Sequence, residues 1–299
     1  MTTPLRHFLQ SPFSGRSASL RAHDLLSRRD VLKGLAGAAG LAALPAAADC
    51  TPERDALYFE IAKLELKVKG LDPRHDGLLV AQLSDIHVGR SPNERVTAAV
   101  AALNAAKPDL AVLTGDYVTT KRDPYERVPQ LLKGIEAPTY AVLGNHDHLS
   151  NAPYLKWRLE GIGYAVLQNQ RTTLRLKGAD FHLLGVDDST TRHDDLEQTM
   201  KGTPAGSRLM LAHTPSFART LPKDEGLLCL SGHTHGGQIH IPGVTTGVFG
   251  LFGQPFIRGH HAVNGNQVYV NRGLGFGRGT GLVRVDSEPE LSLITLRSA

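Results

Sequence analysis

Leu78-Leu79-Val80-Ala81-Gln82-Leu83 is an uncharged, mostly apolar run that ends in Ser84-Asp85-Ile86-His87. A run of that length with no helical spacing reads as a strand buried on both faces. Apolar residues at helical spacing follow over 93–106 and stop before Pro108. Leu110-Ala111-Val112-Leu113 is a second buried strand, and it ends in Gly115-Asp116. A helix is expected around 125–135, then a strand over 139–143 that runs into Gly144-Asn145-His146-Asp147. This β-α-β-α-β order predicts an α/β fold with parallel strands joined by right-handed crossovers. Each strand releases polar residues just past its C-terminal end, where open α/β sheets place ligands.

The second half is richer in strands. Candidates are 172–176, 181–186, 209–212, 227–230, 238–241, 267–270, 282–285 and 291–296, with helices around 194–201 and 216–221. No internal repeat and no low-complexity linker interrupts them. One domain over 49–299, with helices covering two packed sheets, accounts for the pattern.

The first 48 residues differ in kind. Ser27-Arg28-Arg29-Asp30-Val31-Leu32-Lys33 precedes an apolar, Gly/Ala-rich run from Gly34 to Leu44, then Pro45-Ala46-Ala47-Ala48. A charged region, a modest apolar region and a small-residue cleavage site form a signal peptide. The paired arginines resemble a twin-arginine leader over 1–48, with Val31 in place of the more usual Phe. The apolar run falls short of the roughly 20 residues of a spanning helix. Asp49 disfavours Cys50 as a lipid attachment point, and the bland alternative for the whole segment is an amphipathic or disordered N-terminus. Twin-arginine export carries folded proteins, so the expected location is the periplasm or the outer face of the cytoplasmic membrane, and the translocation machinery is an expected partner.

The leader also explains the net charge of +4. Residues 49–299 hold 27 of the 33 basic and 27 of the 29 acidic residues, so the domain is neutral and no nucleic-acid partner is expected. Cys229 lies in the apolar run Leu227-Leu228-Cys229-Leu230 and reads as a buried small hydrophobe.

Five clusters carry chemistry: Asp85-Ile86-His87, Gly115-Asp116, Gly144-Asn145-His146-Asp147, His213 and Gly232-His233-Thr234-His235. Singly, each is a turn or a solvated imidazole. Together they follow apolar strands and supply Asp, Asn and His, the donors that suit divalent first-row metals. In extended backbone, side chains two apart point the same way, so Asp-x-His and His-x-His each grip one ion twice. The spacing excludes helix-borne His-Glu-x-x-His chemistry, and the absence of thiolates disfavours a structural zinc site.

In this order the clusters resemble the calcineurin-like metallophosphoesterase superfamily. Gly232-His233-Thr234-His235-Gly236-Gly237-Gln238-Ile239, Tyr269-Val270-Asn271-Arg272-Gly273-Leu274-Gly275 and Pro289-Glu290-Leu291 are similar to its YkuE/YaeI-type branch, many of whose members carry twin-arginine leaders. The resemblance implies a four-layer α-β-β-α sandwich of two mixed sheets flanked by helices. It implies two divalent or mixed-valence ions, drawn from Mn, Fe and Zn, that share a hydroxide. Asp85, His87, Asp116 and His235 would hold one ion; Asp116, Asn145, His213 and His233 would hold the other. His146 would be the catalytic acid, with Asp147 behind it orienting the imidazole. For Arg272, a phosphate contact and a structural ion pair remain open.

The implied activity is hydrolysis of a phosphoester. A phosphodiesterase or pyrophosphatase acting on an envelope metabolite, lipid-linked or nucleotide-linked, comes first; a broad phosphomonoesterase comes second. A non-catalytic metal-binding protein would have predicted damage among these residues, and there is none. Residues 243–258 are Gly/Pro-rich and hold Val248, Phe249, Leu251, Phe252 and Phe256, too broken for a regular helix. Two readings stand: a loop packed on the sheet, or a membrane-surface contact beside the site.

Overall fold

The computed structural model describes residues 57–277 and 283–299. The leader and its cleavage site therefore lie outside the described residues.

Two six-stranded mixed sheets form the centre. The strands and helices in chain order are β1 (Glu60–Val68), β2 (Leu78–Leu83), α1 (Asn93–Ala106), β3 (Leu110–Thr114), α2 (Arg127–Leu132) and β4 (Thr139–Val142). Then come α3 (Asn145–Ser150), α4 (Ala152–Glu160), β5 (Ala165–Val166), β6 (Gln170–Leu176), β7 (Ala179–Gly185), α5 (Leu196–Met200) and β8 (Ser207–Leu211). The chain closes with β9 (Leu228–Ser231), α6 (Thr245–Leu251), β10 (Gly259–Val263), β11 (Asn266–Val270) and β12 (Glu290–Ser298). The first sheet runs β1-β12-β2-β3-β4-β5 and the second β10-β11-β9-β8-β7-β6. β2, β3 and β4 are parallel, as the β-α-β-α-β pattern requires, and β12 inserts antiparallel beside β2.

Strand periodicity decides which face each residue buries. Leu78, Val80, Leu110 and Val112 turn inward to meet Leu209, Leu211, Leu228 and Leu230 of the other sheet. Ala81, Leu83, Ala111 and Leu113 turn outward and pack on Val96, Leu103, Val128, Leu132, Leu155 and Leu159 of α1, α2 and α4. On the far side, Met210, Cys229 and Val268 pack against Phe217, Ala218 and Leu196. The molecule thus has the α-β-β-α layering that the sequence resemblance implied. Leu110 is fully buried between the sheets, where truncation to alanine would cost about 2–5 kcal/mol.

Several expectations are corrected. Residues 238–241 and 283–285 form no strand; Ile239 and Val285 share a single isolated bridge, and Leu282 lies outside the described residues. Gly236, Gly237 and Gln238 all have positive φ, which breaks extended backbone there. Residues 215–220 make a 3-10 turn rather than an α-helix. The segment 243–258, expected to be irregular, contains α6. β1 was not anticipated, because its charged residues Glu60, Lys63, Glu65 and Lys67 masked the alternating Leu64, Leu66 and Val68. Among the described residues no helix is long and apolar enough to cross a membrane.

Candidate metal centre

The C-terminal ends of β2, β3, β4, β8 and β9 converge at one rim, and each releases its polar cluster there. Asp85, His87, Asp116, His213 and His235 are buried, while Asn145, His146 and His233 are partly exposed. The backbone at this rim is costly. Asp85, His87, Asp116, His233 and His235 all adopt left-handed φ between 48° and 71°, a region non-glycine residues seldom occupy and one that clusters at functional sites. Asp85/His87 and His233/His235 therefore converge through sharp kinks and not through extended backbone, which corrects the simple alternation argument. Glycine is needed where these kinks touch. A Cβ on Gly144 would collide with Asp116 Oδ1, and one on Gly232 with Ser84 Oγ and Asp85 Oδ2.

Two groups of donors result. Asp85, His87 and His235 form one, with His235 Nε2 at 3.4 Å from Asp85 Oδ1 and 3.1 Å from His87 Nε2. Asp116, His213 and His233 form the other, with His213 Nε2 at 3.3 Å from Asp116 Oδ2 and 3.2 Å from His233 Nδ1. Asn145 Oδ1 joins the second group, 2.8 Å from His233 Nδ1 and 3.1 Å from His213 Nε2. Asp116 Oδ2 also lies 3.7 Å from His87 Nε2, so this carboxylate stands between the two groups.

The hydrogen-bond chemistry asks for cations. His213 Nδ1 must donate to the Thr114 carbonyl at 2.7 Å, so neutral His213 aims the Nε2 lone pair at Asn145 Oδ1 and Asp116 Oδ2. Three acceptors facing one another are repulsive without a proton or a metal ion between them. Burial disfavours charge on His213, yet the Asp116 carboxylate raises its pKa well above the ordinary imidazole value. Elsewhere burial wins. It pushes His87 down to about 3 and, with the positive charge of His213, His233 down to about 4. His235 falls well below the usual range through burial and its neighbours His87 and Arg284. These three imidazoles are neutral at pH 7, the form that ligates metal. The Asp/Asn/His donors fit divalent first-row ions, which when bound supply Lewis acidity and lower the pKa of water toward about 7.

His146 and Asp147 behave differently from each other. The His146 ring lines an open cleft of about 190 Å³ together with Asp116, His233, His235, Gln238 and Phe249. Its Nδ1 donates to the Thr119 carbonyl at 3.0 Å, which leaves Nε2 as its second polar atom. Asp147 was expected to orient that ring. It instead accepts from the backbone N–H groups of Asp116, Tyr117 and Gly144 at 2.8, 2.9 and 2.8 Å. Asp147 sits in the first turn of α3, so its carboxylate turns back onto the two ligand loops. Burial and the Asp116 charge push it up to about 7, and the three N–H groups pull the other way. Asp147→Asn should cost about 1–3 kcal/mol for each N–H left facing the new amide group. An unchanged urea midpoint would show that the loops hold themselves.

Sequence reasoning passed over the supporting residues. Thr119 Oγ1 holds His87 Nδ1 at 2.9 Å, and Ser84 Oγ holds Asp85 Oδ2 at 2.6 Å. Arg284 is buried against the carbonyls of Arg272, Gly273 and Ser287, with Nη2 at 3.2 Å from His235 Nδ1. A single arginine amid Val283 and Val285 was the available signal. Arg272 resolves to an ion pair: it meets Glu290 at 2.5 Å, Glu60 at 2.7 Å and Glu288 at 3.4 Å.

Residues 78–237, which span both donor groups, match the family model described as calcineurin-like phosphoesterase. The chain belongs to that family. It is 32% identical over 287 residues to YkuE, an uncharacterized metallophosphoesterase of Bacillus subtilis (strain 168), covering 91% of this chain and 98% of the relative. It is 30% identical over 233 residues to the phosphodiesterase YaeI of Escherichia coli (strain K12), a match that covers 72% of this chain and 80% of YaeI. The UDP-2,3-diacylglucosamine pyrophosphatase LpxG of Chlamydia trachomatis is 25% identical, over 73% of this chain and 83% of its own length. This metallophosphoesterase is accordingly a hydrolase of phosphoester bonds, with two buried His/Asp groups suited to metal.

Proposed function

We propose that this metallophosphoesterase cleaves a phosphodiester or pyrophosphate bond in an envelope metabolite, using two metal ions held by Asp85, His87, Asp116, Asn145, His213, His233 and His235. The observation that carries this reading is the lining of the cleft. It includes Phe249, which offers an apolar surface to an ester substituent right beside Asp116, His233 and His235 of the donor groups. His146 stands beside the ligands and would protonate the departing oxygen. The names of YaeI, a phosphodiesterase, and LpxG, a pyrophosphatase, agree with a substrate that carries groups on both sides of phosphorus. The leader, Ser27-Arg28-Arg29-Asp30-Val31-Leu32-Lys33 with the apolar run after it, supports export by the twin-arginine route to the periplasm or the outer face of the cytoplasmic membrane.

The test is turnover of bis-p-nitrophenyl phosphate against p-nitrophenyl phosphate by metal-analysed mature protein with added Mn²⁺. The diester should be preferred at least about tenfold, a difference of about 1.4 kcal/mol in barrier. A reversed preference would make the protein a monoesterase, and no turnover with two ions bound would remove the catalytic reading.

The apolar segment 243–258 supports a lipid-linked substrate. α6 places Phe249 at the cleft while Leu251 and Phe252 remain 87% and 57% exposed, near exposed Ile241 and Val244. No charged residue occurs between Ile241 and Ile257, so this edge can enter a lipid headgroup layer without burying charge. Phe252→Ser should weaken sedimentation with anionic liposomes; equal binding by both proteins would leave the segment as a packed loop.

A further inference from the structure

One helical step from the metal centre lies a second cavity that the hydrolytic scheme does not use. α3 begins with Asn145 at the centre and carries His148 three residues on, close enough for the two side chains to be neighbours on one helix face. The cavity, of about 490 Å³, is lined by His148, Lys156, Trp157, Glu160, Gln168 and His193. That volume falls in the range of small-molecule sites, about 300–1,000 Å³.

Its polar groups are built, not incidental. His148 Nε2 donates to Asp187 Oδ1 at 2.6 Å, and Asp187 Oδ2 is held by Gln168 Nε2 at 2.9 Å. The His193 ring stacks on His148 with centroids 4.0 Å apart and planes 17° apart. Thr191 Oγ1 gives its proton to Asp188 Oδ2, so it accepts from His193 Nδ1 at 2.9 Å. His148 Nδ1 and His193 Nε2 then have no partner among the described residues, and Lys156 has only a 3.8 Å contact with Glu160. Burial opposes charge on His148, but the hydrogen bond and charge of Asp187 outweigh it and raise the pKa. This ring therefore keeps its proton to higher pH than a free imidazole. The loop that carries His193 is tied to the centre through Asp188, which accepts from Thr191 and from Thr214, the residue after His213.

Beside these nitrogens stands Trp157, 61% exposed and the sequence's only tryptophan. An exposed indole beside the His148 imidazole and the Lys156 ammonium, with the Arg158 guanidinium 5.7 Å from the same ring, offers an apolar face and anion contacts at once. We propose that this cavity is the subsite for one arm of the substrate, and that the arm is a nucleoside phosphate with its base on Trp157 and its anionic group toward His148, His193 and Lys156. The inference rests on the phosphodiester reading, which leaves an arm on either side of phosphorus.

Trp157 supplies the readout. Uridine 5′-monophosphate titrated into the mature, metal-loaded protein should quench its fluorescence saturably, whereas uridine and ribose 5-phosphate should each bind at least about fivefold more weakly. His193→Ala with Lys156→Gln should raise Kd about tenfold with an unchanged melting temperature. Trp157→Ala, followed by calorimetry, should raise Kd at least about fivefold, the low end of base–aromatic stacking. Ribose 5-phosphate binding as well as the nucleotide would overturn the base contact. Absence of saturable quenching, or an unchanged Kd in the folded double variant, would overturn the subsite. Diester hydrolysis is measured separately, so failure of this subsite and failure of the phosphodiesterase reading give different results.

Discussion

Asp116→Asn should empty the centre of at least one ion and lower turnover by more than about 10³-fold, since even residues that only support a ligand cost about 10–100-fold. The geometry makes this carboxylate the shared one. Oδ2 lies 3.3 Å from His213 Nε2 and 3.7 Å from His87 Nε2, so it serves both donor groups, while Oδ1 accepts the His146 backbone N–H at 2.9 Å. Asparagine keeps one oxygen but exchanges the other for an NH₂ group, which has no lone pair to give a metal and removes a negative charge. In the parent protein burial opposes the Asp116 charge, yet His213, His87 and His146 together hold its pKa below the usual carboxylate range. The same coupling raises His213, so a proton competes with metal for that position and loading should weaken as pH falls. Metal content by mass spectrometry, read beside activity, checks the prediction. Two bound ions with full activity would refute the shared role.

The parts of this molecule legible in its sequence are those with short-range causes. Leu78–Leu83, Asn93–Ala106 and Leu110–Thr114 follow from apolar runs, helical spacing and the stop at Pro108. The polar clusters were equally visible, because each sits just after such a strand. What was hidden depends on contacts far apart in the chain. β12 inserts beside β2 from more than 200 residues away, and β1 becomes a strand only because β12 offers it a partner. The left-handed kinks at Asp85 and His233 could not be seen, since non-glycine residues take that conformation only when their surroundings enforce it. For Asp147, neighbourhood in sequence suggested a partner for His146; the turn of α3 instead aims the carboxylate at backbone N–H groups of two other loops. Thr119 lies 32 residues from His87 and 27 from His146, yet it contacts both. No local pattern marks such a residue.

His146→Ala should keep both ions and lose about 10²–10⁴ in turnover on a substrate with an alkoxide leaving group, the range for a positioned general acid. Its side chain is absent from both donor groups. The contact that ties it to the centre is the backbone N–H bond to Asp116 Oδ1, which alanine retains. The ring is nevertheless well placed: it packs edge-on against His87 with centroids 5.2 Å apart and lines the cleft. Because Nδ1 is committed to the Thr119 carbonyl, proton transfer falls to Nε2. The size of the loss should depend on the leaving group. An alkoxide needs a proton as it departs, whereas p-nitrophenolate is stable without one. The variant should therefore be far less impaired on bis-p-nitrophenyl phosphate than on an alkyl diester. Equal losses on both would assign His146 to charge stabilisation at phosphorus, and near-normal turnover of the alkyl diester with two ions bound would remove it from the chemistry.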